Sequence, residues 1–336
     1  MAAIDPIDPT EPNAPIDPGD PIGALEAHRQ ALTGHCYRML GSVADADDAV
    51  QETLVRAWRH RDQVDDEAAL AGWLHRIATN VCLTALAQRQ RRLRPMSLAP
   101  AGTPHDPLST RPAREWLEPI PDARVMPMAA DPHERVRVRE RVRLAFVTAL
   151  QHLPPKQRAA LLLVEVVGLS ADETATTLET TVPSVNSALQ RARAKLGGLG
   201  EAASGAPLSA SQIGLVERFV SAFEDYDPDE LCALMHEDAV LSMPPYDLWL
   251  RGRESLREWF RLRGGGCAGS LLVPTRASGS PAFLHYRAGD DGAYHAWAVI
   301  VLELRGERIA EMANFLDVES LFPAFEAPLV RTTRDG

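Results

Sequence analysis

Residues 172–195 read DETATTLETTVPSVNSALQRARAK, and this stretch decides the interpretation of the sequence. It predicts a helix, a short turn and a second helix whose outer face is polar and carries arginines. Ser170 followed by Glu173 is typical of a capping box at the start of the first helix. The pattern is that of a helix-turn-helix reading the major groove of DNA. The alternative is an ordinary helical hairpin with a solvated face.

The second of these helices separates apolar from polar side chains. Its apolar residues recur at helical spacing, at Val185, Ala188, Leu189, Ala192 and Leu196. Short polar side chains near the start of such a helix can reach base edges, and arginines farther along can hold phosphates. The predicted DNA-binding residues are Ser184, Asn186, Ser187, Gln190, Arg191 and Arg193.

The charge of the chain is divided unevenly along its length. Its 336 residues include 35 Lys and Arg against 46 Asp and Glu, a net charge of −11 that is unusual for a DNA-binding protein. Residues 131–200 hold 10 basic and 7 acidic residues, net +3, whereas residues 201–336 hold 12 and 21, net −9. Because DNA repels so acidic a segment, we expect the last third to stay off the duplex.

Composition predicts several domains, as does the length of the chain. Residues 1–22 hold five acidic and no basic residues and repeat Asp-Pro, which predicts a disordered acidic tail. Eight prolines rule out long helices in residues 95–130, and a Gly/Ser-rich stretch at 198–207 predicts a second linker. The remaining segments are an all-helical domain at 23–94, the helix-turn-helix domain at 131–197, a third domain at 208–326 and a tail at 327–336.

The third domain changes character along its length. An apolar stripe at 213–223 and the segment 252–260 predict helices. Alternating or β-rich runs follow at 239–243, 271–277, 281–286, 293–304 and 308–318. Hairpin-linked strands after helices predict an α+β domain with a curved antiparallel sheet.

Several classes of protein are disfavoured by composition. Cys36, Cys82, Cys232 and Cys267 are far apart and form no CxxC pair, so free thiols are expected rather than a disulfide, a metal site or a cofactor site. The N-terminus lacks a basic region followed by an apolar run, and no apolar stretch approaches the ~18 residues of a membrane span. A cytoplasmic protein without membrane contact is expected.

The segment 44–60 predicts an amphipathic helix with carboxylates crowded near its start. Asp45, Asp48 and Glu52 lie opposite the apolar face, where the helix dipole favours negative charge. This face is either a solvated first turn or a surface that docks on basic residues of a partner.

The segment 70–92 predicts another helix, followed by a cluster of arginines. Trp73 and Asn80 precede Arg89, Arg91 and Arg92. Arginine for phosphate, with aromatic and amide groups for unstacked bases, suits single-stranded DNA. The alternatives are a core position for Trp73 and a solubilising role for the arginines.

Three segments together carry a family resemblance. DADDAVQETLVRAW (45–58), GWLHRIATNVCLTAL (72–86) and residues 153–196 resemble a bacterial sigma factor of the extracytoplasmic-function (ECF) group of the sigma-70 family, across about 170 residues. The resemblance implies two all-α domains, a helical bundle and a helix-turn-helix, that direct promoter-specific initiation by RNA polymerase without catalysing a reaction. It assigns core-polymerase binding to Asp45, Asp48, Gln51, Glu52 and Trp58. It assigns contacts with the single-stranded −10 element to Trp73, Arg76, Asn80, Arg89, Arg91 and Arg92, and contacts with the −35 duplex to the six residues of the second helix given above.

Two positions depart from that family. Thr84 stands where the family commonly has Asp, so no role is carried over to it. Glu179 stands where the turn commonly holds Gly, and a left-handed backbone there would be strained. The position of the turn is therefore open by about one residue.

The segments WLEPIPD (116–122) and 215–260 resemble the subfamily that carries a fused SnoaL-like domain, a cone-shaped fold shared with ketosteroid isomerase and polyketide cyclases. The resemblance implies an apolar pocket able to take a small apolar ligand. Its expected walls are Met243, Trp249, Trp259, Phe283, Trp297 and Phe315. His285, His295 and Asn314 are the residues to test for catalysis, which would need a titratable group with a raised pKa.

We expect the last domain to regulate the protein rather than to catalyse a reaction. Its acidic surface and short tether predict that it docks on the basic sigma domains and tunes promoter activity. The alternatives are a helix-turn-helix regulator that senses a small molecule, and one fused to a cyclase- or isomerase-type enzyme domain.

Overall fold

Four helices form the N-terminal bundle of this computed structural model, which describes residues 21–61, 64, 67–88, 91–126, 131–196 and 206–334. The helices are α1 (Pro21–Glu26), α2 (Arg29–Leu40), α3 (Val43–Arg59) and α4 (Glu67–Ala87). Gly41 ends α2 with a φ of +74°, and Ser42 caps α3 by accepting from the Asp45 N–H. A turn at 27–28 separates α1 from α2.

A second helical domain contains the helix-turn-helix. Its helices are α5 (Pro132–Val142), α6 (Leu144–Gln151), α7 (Pro155–Leu162), α8 (Ala171–Thr177) and α9 (Val182–Leu196). A π-helical turn continues α7 to Val167, and Gly168 ends it at a φ of +88°. The predicted capping box of Ser170 and Glu173 is confirmed at the start of α8.

The C-terminal domain is the expected α+β fold. Its helices are α10 (Ala210–Glu224), α11 (Pro228–Leu234), α12 (Arg253–Arg263) and α13 (Val318–Ala324). Its strands are β1 (Met235–Ser242), β2 (Trp249–Arg251), β3 (Leu271–Ala277), β4 (Ser280–Ala288), β5 (Tyr294–Arg305), β6 (Arg308–Phe315) and β7 (Val330–Arg331). The strand order is β2-β1-β6-β5-β4-β3, with β7 on β5, and β1 runs parallel to β6. Residues 327–336 were expected to be a tail, yet Val330 and Arg331 add a strand to the sheet.

The two faces of this sheet are buried against different partners. Phe283, Ile300 and Met312 pack with helices α10 to α12 on the inner face. The outer face, with Val301 and Phe315, belongs to a hydrophobic core that also contains residues of both helical domains. The C-terminal domain is therefore joined to the sigma-like domains through a shared core.

Residues 91–126, the interdomain segment, lie between the N-terminal bundle and the sheet. The Tyr37 hydroxyl of the bundle donates to the Glu118 carbonyl at 2.6 Å. On the other side, the Ser278 N–H donates to the Ile120 carbonyl at 2.8 Å, and the Gly279 N–H donates to Asp122 at 2.7 Å. Within this segment the only helices are short 3-10 turns, as its prolines predict.

Two further observations bear on the class of protein. None of the helices in the described ranges is long and apolar enough to cross a membrane. The four cysteines are free, as expected, and only Cys267 is partly exposed.

Candidate polymerase- and promoter-binding surfaces

Helix α3 presents most of the residues expected to bind core polymerase on one exposed surface. Asp48, Gln51 and Glu52 are exposed, and the Trp58 side chain is 54% exposed. Glu52 pairs with Arg56 at 2.6 Å, but both side chains are about half exposed, so the pair adds little stability. A groove of about 390 Å³ lies beside Trp58. An exposed tryptophan next to an apolar groove, flanked by carboxylates, is typical of a protein-docking surface.

Asp45 does not share this exposure, because it is held by an arginine that was expected to contact DNA. Arg92 donates to Asp45 at 2.8 Å, to Glu118 at 3.0 Å and to the Trp116 carbonyl at 2.9 Å. Arg92 is only 8% exposed. Burial raises the pKa of Glu118, and the Arg92 guanidinium opposes that rise. In this conformation Asp45 and Arg92 link the interdomain segment to α3. Both residues were expected to be accessible to a partner, but Asp45 is half-buried and Arg92 is buried.

The residues expected to contact the −10 element are divided between accessible and covered positions. Asn80 and Arg91 are exposed. Trp73 and Arg76 are half-buried and line a cleft whose opposite wall is the second helical domain, including Arg141 and Leu169. Arg89 lies outside the described residues. Trp73 and Arg76 therefore lie together, and both face the second helical domain.

Helix α9 leaves its expected −35 surface open. Ser184, Asn186, Gln190, Arg191 and Arg193 are exposed, and Ser187 is half-buried. Val185, Ala188, Leu189 and Ala192 are buried, as their helical spacing predicts. The Arg191 guanidinium donates to the Ser187 hydroxyl at 2.6 Å, and Arg193 pairs with Glu165.

The turn before α9 keeps its geometry despite Glu179. That residue has a φ of +50°, the left-handed conformation that usually favours glycine. The Thr180 N–H still donates to the Ala175 carbonyl at 2.9 Å. Such a conformation costs about 1–2 kcal/mol for a residue with a Cβ, and the packing of α8 on α9 offsets this cost.

Replacing Arg191 with alanine should weaken binding of a −35 duplex and flatten its salt dependence. Each lost phosphate contact lowers the slope of log affinity against log salt by about one unit. Fluorescence anisotropy at several salt concentrations measures both effects. Arg218→Ala, at an exposed arginine of the C-terminal domain, is the matched control and should change neither. An unaltered slope for Arg191→Ala would remove this residue from the interface.

The interior of the cone-shaped domain is nearly filled. Met243 and Trp259 line a cavity of about 10 Å³, room for a single water, and Leu108 of the interdomain segment contributes to its wall. Phe283 belongs to the same buried hydrophobic cluster as Trp259. The Trp249 indole donates to the Ala99 carbonyl at 2.8 Å.

One expected pocket wall, Phe315, is wrong, and another, Trp297, lies at an irregular point of the sheet. The pairing of β5 with β4 shifts register between His285 and Tyr286, which places Trp297 at a bulge rather than in a regular alternation of faces. Trp297 is 38% exposed and stacks under the Arg287 guanidinium at 3.4 Å. Phe315 lies on the outer face with the shared core.

The three residues weighed for catalysis occupy different environments. Burial, with a smaller contribution from Arg287, lowers the pKa of His285 to about 3, and its Nε2 lies 2.9 Å from the Ser270 hydroxyl. The imidazole is therefore neutral at physiological pH. His295 is exposed and pairs with Asp291 at 3.0 Å, while the Asn314 amide donates to the Ser242 carbonyl at 3.2 Å. The structure does not bring these three side chains together around a cavity.

Sequence reasoning missed an arginine between the two helical domains. Arg158 of α7 is 2% exposed and donates to the Met39 carbonyl of α2 and to the Gln151 side chain. Burial lowers the pKa of its guanidinium to about 10. Arg158 follows Lys156 and Gln157 at the polar start of α7, so no signal in the sequence indicated that it is buried.

Comparisons with known proteins identify three families along the chain. Residues 24–92 match the family Sigma-70 region 2, residues 143–196 match Sigma-70 region 4, and residues 216–312 match the SnoaL-like domain. The chain is 42% identical over 310 residues to the ECF RNA polymerase sigma factor SigG of Mycobacterium tuberculosis, covering 90% of this chain and 82% of that one. It is 31% identical over 215 residues to the probable ECF RNA polymerase sigma factor SigI of the same organism, covering 63% and 66% of the two chains.

The chain therefore belongs to the ECF RNA polymerase sigma factors, in a form that carries a fused SnoaL-like domain. It shares its fold with the crystal structure of Mycobacterium tuberculosis SigJ. That comparison has a TM-score of 0.60 and 23% identity, and it covers 92% of this chain and 99% of SigJ.

Proposed function

We propose that this sigma factor exists free of polymerase in a closed form, and that core RNA polymerase and promoter DNA bind an opened form. The observation that carries the proposal is the burial of Arg158 of the second helical domain against the Met39 carbonyl of the N-terminal bundle. The two DNA-reading domains are thereby in direct contact.

Direct contact is incompatible with reading both promoter elements at once. Elements centred near −35 and −10 are separated by roughly 20 base pairs, which span about 70 Å at 3.4 Å per base pair. The cleft also covers Trp73 and Arg76 of the expected −10 surface, whereas the exposed residues of α9 stay accessible. Opening would have to precede recognition of both elements.

The C-terminal domain supports the closed form through two carboxylates on the outer face of its sheet. Glu303 and Glu311 lie directly opposite each other on β5 and β6. Like charges in this position destabilise a sheet unless cations neutralise them. Arg143 of the second helical domain pairs with Glu303, and Arg94 of the interdomain segment pairs with Glu311. One strand pair thus holds two separate parts of the sigma module.

The role proposed for this domain is regulatory and not enzymatic. A histidine with a pKa of about 3 is a weak general base at physiological pH, and the cavity of about 10 Å³ between Met243 and Trp259 has no room for a substrate. A small apolar ligand that enlarged this cavity by displacing Leu108 would move the interdomain segment. Such a ligand would shift the equilibrium from the closed to the open form only if it bound the open form more tightly.

Run-off transcription from genomic DNA with core polymerase tests the proposal. The full-length chain should direct new start sites, and a chain lacking residues 208–336 should give several-fold higher output while still binding core. Because the deletion exposes the shared core, Arg158→Ala provides a second opened variant in the full-length protein. Absence of new start sites would refute the sigma activity, and equal output from all three proteins would refute the closed form.

A further inference from the structure

The cleft between the two helical domains concentrates positive charge. Its volume is about 1100 Å³, slightly above the ~300–1,000 Å³ of pockets that hold small molecules. Arg38 of α2, Arg76 of α4, and Arg137 and Arg141 of α5 line it together. Four guanidiniums from three helices therefore converge on one space.

These arginines have few protein partners. Arg38 is 6% exposed, and its side chain makes no hydrogen bond or ion pair to any residue in the described part of the chain; its Nε is buried without a partner. Burial, followed by the charge of Arg141, lowers the pKa of Arg38 to about 10. Buried cations are normally paired, so an unpaired guanidinium facing a cavity points to an anion.

Two of the three carboxylates that line the cleft are already engaged. Among its described lining residues, Glu165 pairs with Arg193 of α9, and Glu173 accepts from Ser170 in the capping box of α8. Glu134 is the third carboxylate and is exposed. The lining therefore keeps an excess of cationic groups available to a ligand.

The apolar part of the lining indicates a second feature of the ligand. Trp73 is half-buried in the cleft, and Val138, Val166 and Leu169 lie around the same space. A tryptophan face beside arginines is the combination that binds a base together with its phosphates. A simple inorganic anion would leave this apolar surface unused.

We infer that the cleft binds a nucleotide, with Arg38, Arg137 and Arg141 on its phosphates and Trp73 against its base. The phosphates belong to a free nucleotide such as a nucleoside diphosphate, because promoter DNA binds the opened form. The inference rests on the closed form proposed above, because the walls of the cleft come from both helical domains. A nucleotide bound between them stabilises that form and lowers promoter output.

Isothermal titration of the full-length protein with GDP, and separately with a single-stranded oligonucleotide, tests the inference. Arg137→Ala removes an exposed guanidinium, and Arg38→Lys keeps the buried charge but loses its fork. Each variant should bind about tenfold more weakly, the usual effect of losing one charged hydrogen bond. Arg305→Ala, at an exposed arginine outside the cleft, is the control and should bind like the original protein.

GDP binding weakened by the two variants supports the inference, and binding of the oligonucleotide alone overturns it, because the −10 surface accounts for that binding. Binding of neither probe, or equal binding by all proteins, overturns it. Small-angle scattering on the same samples separates the two proposals. A compact protein that binds neither probe refutes only the nucleotide site, whereas an extended one refutes the closed form and the site together.

Discussion

Replacement of both Asp48 and Glu52 with arginine is expected to abolish association with core RNA polymerase. Both residues are exposed on α3, the helix that also carries Trp58 and its apolar groove, and neither is required for packing. Placing two like charges at a complementary interface costs several kcal/mol, so affinity should fall by at least about a hundredfold. Co-purification with core polymerase and a fluorescence titration measure the loss.

The matched control for this experiment is a double charge reversal on another exposed surface. Glu217→Arg with Asp238→Arg makes the same change of net charge in the C-terminal domain. This control should bind core polymerase normally, and circular dichroism should show an intact helical fold in both proteins. Unchanged association of the α3 variant would remove this surface from the polymerase interface.

Replacing both Arg94 and Arg143 with methionine is expected to open the protein. Each arginine is 6% exposed, and its loss leaves Glu311 or Glu303 partly buried without a cation, although the Ser280 hydroxyl still donates to Glu303. Removing one member of a buried ion pair typically costs about 3–5 kcal/mol, and separation of the domains relieves that cost by exposing the carboxylates to water. The radius of gyration should rise, and promoter output should increase several-fold.

Arg218→Met is the control for this second experiment, because its ion pair with Glu230 is exposed. It should change neither the radius of gyration nor promoter output. A compact double variant with ordinary promoter output would show that the two ion pairs do not maintain closure.

The helix-turn-helix could be predicted because its signals are local. The capping box at Ser170 and the apolar stripe of α9 lie within one or two helical turns, so sequence spacing alone places them. The strands β3 to β6 were likewise visible as β-rich runs. Their inward and outward faces were harder to assign, and Phe315 was placed wrongly because the phase of a strand depends on its neighbours.

The contacts between domains could not be predicted, because they join residues far apart in sequence. Arg92 directly follows the exposed Arg91 in the sequence, yet it is buried between Asp45 and Glu118. The cationic lining of the cleft also combines Arg38 with Arg141, which are a hundred residues apart and have no shared motif. Tertiary structure decides whether such arginines bind DNA, stabilise a fold or bind another ligand.

The order of the closing residues along the chain has a consequence during translation. Arg94 and Arg143 leave the ribosome well before Glu303 and Glu311, their partners in the sheet. At ~5–20 residues per second, synthesis of the intervening segment takes on the order of ten seconds or more. During that interval the nascent sigma module has no sheet to hold it closed. RNA polymerase close to the messenger RNA under translation can therefore meet the sigma module in its open form. Limited proteolysis of ribosome-bound chains stalled before and after residue 311 would detect this interval as a loss of cleavage within residues 91–126.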